Sequence, residues 1–216
     1  MTETLEKLKA GIRTFQTDVH GPKAEEYRKA ASEPQRPHTL VIACADSRVD
    51  VETITSAGPG DVFVARNIGN MVPTYGSTAA GVSAVIEYAV NHLKVRHIAV
   101  CGHSDCGAMK ALLNPDSIAG LPMIRGWLTC GETALAVAPI LQDRDGRDLL
   151  TVLTEQNVLS QLAHLKTHPS VAGAMAREIL TVSGWVYDIG SGEVRIAEDE
   201  AGRFVPVAET GSGVAM

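Results

Sequence analysis

Two stretches decide how this chain is read: TLVIACADSR at residues 39–48 and HIAVCGHSDCGAMK at residues 97–110. In each, a short apolar run ends in residues that bind metals. Residues 40–43 are uniformly apolar and too few for an amphipathic helix, so they read as a strand buried on both faces of a parallel sheet. Cys44, Asp46 and Arg48 follow directly. Residues 98–100 read as part of a second such strand, with His103 and Cys106 just beyond. In an open α/β sheet, ligands gather at the carboxyl ends of the strands. Thiolate and imidazole suit Zn²⁺. His103 and Cys106 are three apart, so at a strand-to-helix turn both can face one ion, and a helix N-terminus favours the thiolate of Cys106. Cys44, His103 and Cys106 are therefore the candidate metal ligands, for one ion per chain. Three protein ligands leave a fourth tetrahedral position open, the mark of a catalytic rather than a structural zinc site.

Taken singly, Cys44 and Cys106 would be small buried core thiols and His103 a loop histidine with its hydrogen bonds made. Their shared placement at strand ends reverses that reading. Cys101, read as the last residue of its strand and two before His103, is the competing ligand and is expected to point into the packing instead. Cys130 stands in a helical region without a partner nearby and is expected to be structural. Asp46 could itself reach the metal. Arg48 could hold that carboxylate bidentately, keep it ionised and orient it as an acceptor. The plain alternative is a turn salt bridge that contributes little.

The rest of the chain gives the frame. Leu5, Leu8, Ile12 and Phe15 recur at helical spacing, an amphipathic helix that either packs on its own core or docks on a second subunit. A second helix at 22–32 is stopped by Pro34 and Pro37. Gly58-Pro59-Gly60 is a turn before a strand at 62–65. Residues 77–92 read as a helix rich in small residues, 95–101 as the third strand, 106–113 as a helix, and 120–138 as irregular helix. A charged loop at 144–147 precedes a long helix over 149–165, and another helix starts at 171–180. Strands at 182–189 and 193–197 flank Gly190-Ser191-Gly192 as a hairpin. The fold class is α/β: a mostly parallel sheet with an antiparallel edge hairpin, flanked by helices, with an N-terminal helical arm. Residues 1–207 are expected to form one zinc domain, with 1–32 as the arm and 208–216 as a disordered tail. No GxGxxG follows the first strand, so there is no dinucleotide fingerprint.

A net charge of -6 argues against non-specific nucleic-acid binding. No stretch approaches the roughly 20 apolar residues of a membrane span. The first residues mix charges and lack the apolar core of a signal peptide, so the cytoplasm is expected. There, cysteines grouped with a histidine favour metal or catalysis over disulfides.

The runs Cys44-Ala45-Asp46-Ser47-Arg48 and His103-Ser104-Asp105-Cys106-Gly107 resemble the two signature segments of the β-class carbonic anhydrases. Gln35, Phe63 and Tyr88 resemble that family's pocket residues. FVARN at 63–67, IEYAVNHLKV at 86–95, EQNVL at 155–159, LKTHPSV at 165–171 and GWVY at 184–187 are similar to it too. The resemblance implies a lyase that reversibly hydrates carbon dioxide to bicarbonate through a zinc-bound hydroxide. It implies zinc on Cys44, His103 and Cys106, with Asp46 accepting the hydroxide's proton in a hydrogen bond and Arg48 fixing Asp46. Gln35, Phe63, Tyr88 and Gly107 would line the substrate pocket, with Gln35 contributed by either subunit. It further implies an obligate homodimer with sites at the subunit boundary, able to pair into a tetramer. A bicarbonate-inhibited subgroup carries tryptophan three residues before the first cysteine. Val41 stands there in this chain, which favours an open site. Two alternatives remain: a carbon disulfide or carbonyl sulfide hydrolase on the same scaffold, and a non-catalytic zinc or bicarbonate-sensing module. The Asp46–Arg48 pair argues against the second, because a structural site needs no hydroxide acceptor.

Overall fold

The N-terminal stripe of Leu5, Leu8, Ile12 and Phe15 lies on helix α1 (Glu3–Thr14), which continues as a π-helical stretch at Phe15–His20, before α2 (Ala24–Ser32). None of these three elements contains a buried residue. Leu8 is 62% and Ile12 57% exposed, so among the described residues most of the stripe is uncovered, while Phe15 packs on the Tyr27 ring. The computed structural model describes residues 2–77, 80–198 and 202–207. The tail at 208–216 and residues 78–79 of the small-residue helix lie outside the described residues.

After the arm come β1 (Thr39–Cys44), α3 (Val51–Thr55), β2 (Val62–Asn67), α4 (Ala80–Glu87), β3 (His97–His103), α5 (Gly107–Leu113), α6 (Pro122–Leu128), α7 (Glu132–Asp145), α8 (Leu149–Leu165), α9 (Pro169–Ala176), β4 (Thr181–Tyr187), β5 (Val194–Ala197) and β6 (Phe204–Pro206). Among the described residues they build one six-stranded sheet in the order β2-β1-β3-β4-β5-β6. β2, β1, β3 and β4 are mutually parallel, and β5 and β6 add antiparallel pairs at one edge. All six residues of β1 are buried, as a central strand covered on both faces requires.

The strands' two-residue period sorts the core. Leu40, Ile42, Ile98 and Val100 face a cluster with Ile86, Val158, Leu165 and Val171 of the helical layer. Val41, Ala43, Ala99 and Cys101 face the other way, with Val49, Val51 and Trp185. Helix α8 approaches the sheet closely because Gly102 and Gly184 leave room for Val158. α8 is also tied to its surroundings by charge. Glu155, 2% exposed, accepts 2.6 Å hydrogen bonds from Arg147 and from Arg195 of β5.

Three departures from the sequence reading have a clear physical cause. β3 runs on to His103, because its parallel pairing with β4 continues through His103 and Tyr187. Cys101 is therefore not the strand's last residue. The charged 144–147 segment is not all loop: α7 extends through Asp145 and turns at Gly146, whose φ of 67° and N–H bond to Gln142 O end the helix. β6 carried no sequence signal, since three residues ending in Pro206 form a strand only by adding to the edge of β5.

A Cβ on Gly184 would stand 2.6 Å from Val158 Cγ1 and 3.0 Å from Leu162 Cδ1. Gly184→Ala is expected to destabilise the fold by about 1–3 kcal/mol through overpacking. Denaturant unfolding measures this, and an unchanged midpoint would show that α8 has slack against the sheet.

Candidate metal centre

β1 and β3 are hydrogen-bonded neighbours, with Ala43 opposite Cys101. Their carboxyl ends therefore deliver Cys44 and His103 side by side. The turn after β3 passes through Asp105 in the left-handed region (φ 59°) and returns Cys106 as the residue preceding α5. The two sulfurs and a ring nitrogen of Cys44, His103 and Cys106 all lie within 4.8 Å of one another, and the three residues are buried.

The histidine's tautomer follows from its contacts. His103 Nδ1 lies 2.8 Å from Ser104 O, and a carbonyl only accepts, so the proton sits on Nδ1. Nε2 then presents a lone pair, yet it is buried without a hydrogen-bond partner. Such an orphan costs about 1–3 kcal/mol. A buried lone pair beside two sulfurs is the donor set of a zinc site, so the residues fit that ion.

The two thiols are electrostatically linked. Cys44 is lowered to about 4 by its hydrogen bond with Cys106, against the opposing effect of burial. Cys106 is pushed up by Cys44 and by burial. Burial disfavours the charged form of His103, but the Cys44 sulfur, the Ser104 carbonyl and the Asp46 carboxylate together raise the value. A divalent cation would stabilise both sulfurs as thiolates.

A network of charged groups stands beside the cluster. Asp46 Oδ1 accepts from Arg48 N at 3.0 Å and Arg48 Nε at 2.9 Å, and Oδ2 accepts from Nη2 at 2.8 Å. Asp46 Oδ2 is 3.9 Å from His103 Nε2. The bidentate hydrogen bonds from Arg48 hold the Asp46 carboxyl well below the usual range. Arg48 Nη1 also donates to Asp105 Oδ2 at 2.9 Å, and Lys110 pairs with the other Asp105 oxygen. Arg66 braces the same turn through Cys44 O at 3.1 Å and Asp46 O at 2.6 Å.

Three comparisons with known proteins bear on this site. A sequence model of the carbonic anhydrase family matches residues 39–194, most of the chain and every residue of the cluster.

The chain belongs to the carbonic anhydrase family.

Carbonic anhydrase from Pseudomonas aeruginosa is 44% identical over 199 residues, covering 92% of this chain and 90% of that protein. Among solved structures, the β-carbonic anhydrase CcaA superimposes with a TM-score of 0.89 at 35% identity, covering 95% of this chain and 92% of its own. One of two tetrameric β-carbonic anhydrases from Sordaria macrospora gives a TM-score of 0.81 at 32% identity, covering 92% and 98%.

Within this carbonic anhydrase fold the other candidate residues divide. Cys101 is buried with Val41 and Ala43, its thiol pushed up to about 12 by burial, and it is not in the ligand cluster. Cys130 is half-buried and also outside it. Gly107 is exposed at the start of α5, next to Cys106. Gln35, Phe63 and Tyr88 do not meet the metal cluster of their own chain. Gln35 lines a surface cleft with His92 and Arg96 before β1 begins. Phe63 pairs with Leu40 at the amino end of the sheet, and Tyr88 packs on it with ring centroids 6.0 Å apart. Cys44 is at the opposite end of β1, a strand of about 17 Å. Sequence reasoning missed Arg66, Asp105 and Lys110 as braces. Only their charge hinted at this, and charge on exposed residues is common.

Cys106→Ala is expected to purify without zinc, since two protein donors hold the ion poorly, whereas Cys130→Ala should keep one zinc per chain. Elemental analysis decides it, and a full complement in Cys106→Ala would remove that residue from the ligand set.

Proposed function

We propose that this chain catalyses the reversible hydration of carbon dioxide to bicarbonate, using one zinc ion held by Cys44, His103 and Cys106. The observation that carries the reading is the Asp46 carboxylate, locked by Arg48 and set at the edge of a cluster that has three donors among the described residues. A structural site would offer four. Zinc bound there supplies a Lewis acid that makes water a nucleophile near neutral pH.

The chain's own groups supply the rest. Both Asp46 oxygens are turned by Arg48, but Oδ2 takes only one of the three bonds and retains a lone pair facing the cluster. It accepts the hydrogen of the attacking water and so aims the oxygen's free lone pair at carbon dioxide. Arg48 keeps Asp46 off the metal by competing for it, and Asp105, anchored by Lys110, holds Arg48 in place.

The pocket residues support an assembly. Among the described residues β2 is an edge strand of the sheet, and α1 carries an exposed apolar stripe. We read the chain as a homodimer, able to pair into a tetramer, in which a two-fold axis brings Gln35, Phe63 and Tyr88 of one subunit toward the metal cluster of the other. The Sordaria macrospora relatives are described as tetrameric. The four free cysteines suit the reducing cytoplasm, because a Cys44–Cys106 disulfide would consume two metal donors. Among the described residues no helix is long and apolar enough to cross a membrane.

Stopped-flow carbon dioxide hydration tests the reaction, with a carbonyl sulfide and carbon disulfide panel alongside. The zinc-loaded chain should hydrate carbon dioxide, and activity on the sulfur substrates alone would overturn the reading. Arg48→Ala should keep zinc and lose kcat/KM by about 10²-fold or more, because Asp46 is then free to bind the metal. Retained activity in that variant would remove Arg48 from the mechanism.

The pH profile carries a sign. Arg48 lowers Asp46, so the pair's contribution is complete above the ordinary carboxylate value of about 4 and is lost only as pH falls through the lowered one. The rise in activity therefore reports the attacking water. Two thiolate donors make zinc a weaker acid than three imidazoles, whose water has a pKa of about 7, so the rate should climb through and above neutrality. A flat profile over about pH 6.5 to 9 would contradict this donor set. Removing residues 1–20 should weaken the dimer and lower turnover together. A truncated chain that sediments as a fully active dimer would rule out the arm's role in assembly.

A further inference from the structure

One element beside the metal cluster has no part in the reaction just described: the turn at residues 67–72, after β2. It closes on itself, with Asn67 Oδ1 accepting from Met71 N at 2.7 Å and Asn67 Nδ2 donating to Met71 O at 2.9 Å. Four side chains from distant elements then grip it, among them His164 of α8, whose Nδ1 donates to Val72 O at 3.0 Å. Trp127 Nε1 of α6 donates to Ile68 O at 2.7 Å. Asn157 Nδ2 of α8 donates to Gly69 O at 3.1 Å. Gln161 Oε1, one helical turn further along α8, accepts from Val72 N at 2.8 Å.

The two amides are themselves joined. Gln161 Nε2 donates to Asn157 Oδ1 at 2.9 Å and to Cys130 O at 2.9 Å. Asn157 is 1% exposed and Gln161 is fully buried. Burying two primary amides is costly unless they are bonded, and here they are bonded to the turn and to each other. So much polar clamping on six residues calls for a reason beyond closing a loop.

A further contact of the turn supplies one. The Gly69 N–H points at Cys44 Sγ, with nitrogen and sulfur 3.4 Å apart. Gly69 has a φ of 76°, and a Cβ there would stand 2.8 Å from Ala108 Cβ of α5. A glycine is needed for the backbone to come this close to the sulfur.

We infer that Asn157, Gln161 and Trp127 are positioning residues of the metal centre, clamping the 67–72 turn so that the Gly69 amide is held against Cys44 Sγ. The amide fixes the direction of the sulfur and draws charge from it. Hydrogen-bonded partners of metal ligands orient them and tune their donation. This rests on the reading of Cys44, His103 and Cys106 as zinc ligands.

The test compares zinc affinity, by chelator competition, and the thiolate-to-metal absorption of the cobalt(II)-substituted protein. Asn157→Leu removes the donor to Gly69 O at similar volume. Trp127→Phe removes the donor to Ile68 O and keeps an aromatic ring. Val158→Ala, on the same helix but packed against Gly102 and Gly184, serves as the structural control. The two turn variants are expected to lose about 10–100-fold in zinc affinity. Their charge-transfer band should move to longer wavelength, because a sulfur relieved of its N–H donor is richer in charge. Val158→Ala should lose thermal stability but keep the parental affinity and band.

Should Asn157→Leu fail to fold, Trp127→Phe decides alone. Folded turn variants with parental affinity and an unshifted band would overturn the inference, as would a Val158→Ala change of the same size. A parent chain that takes up no zinc would overturn both this inference and the ligand assignment beneath it.

Discussion

Everything at this site depends on the parallel pairing of two short buried strands, β1 and β3. Parallel neighbours run in the same direction, so their carboxyl ends meet at one edge of the sheet. Because residues 40–43 and 98–101 are apolar and buried, burial fixes the strands' register, and a one-residue slip would turn each core set onto the wrong face. The same force that buries Leu40, Ile42, Ile98 and Val100 therefore determines where Cys44 and His103 come to rest. Hydrophobic burial here does the work of aiming polar groups that it would otherwise exclude.

The electrostatics are layered on that frame. Arg48 reaches across from the first turn to the second, bonding Asp46 on its own side and Asp105 on the other. One guanidinium thus links the two segments that carry the donors. Because arginine stays protonated throughout the accessible pH range, only protonation of the aspartates breaks the link. Glu155 plays a similar part deeper in the fold, where a single carboxylate holds Arg147 and Arg195 together.

Much of this was legible in the sequence, and the parts that were not share a physical cause. β1, β3, α8 and the hairpin announced themselves by apolar runs, period and turn residues. The Cys44–His103–Cys106 cluster and the Asp46–Arg48 pair were legible because each residue lies within a few residues of a strand end. The braces were hidden because they act across the chain: Arg66 reaches Cys44 over 22 residues, and Asn157 reaches Gly69 over 88. α8 misleads in a further way. Its leucines suggest one apolar stripe, yet Thr154, Glu155, Asn157 and Gln161 are buried as well, because the helix is covered on more than one side. A polar residue on a helix surrounded by protein cannot be told from a solvated one by spacing alone. The stripe on α1 is the opposite case, since spacing identified the helix but among the described residues Leu8 and Ile12 stay exposed.

The separation of Gln35, Phe63 and Tyr88 from the cluster of their own chain has a consequence for mixed populations. If these residues serve the reaction across a two-fold axis, each subunit owns halves of two different sites. A subunit defective only in its sulfur donors and another defective only in its pocket would then, on pairing, assemble one intact site from their undamaged halves and one doubly defective site. Two inactive gene products could in this way restore up to half the activity between them, a behaviour closed to an enzyme whose site is built from a single chain.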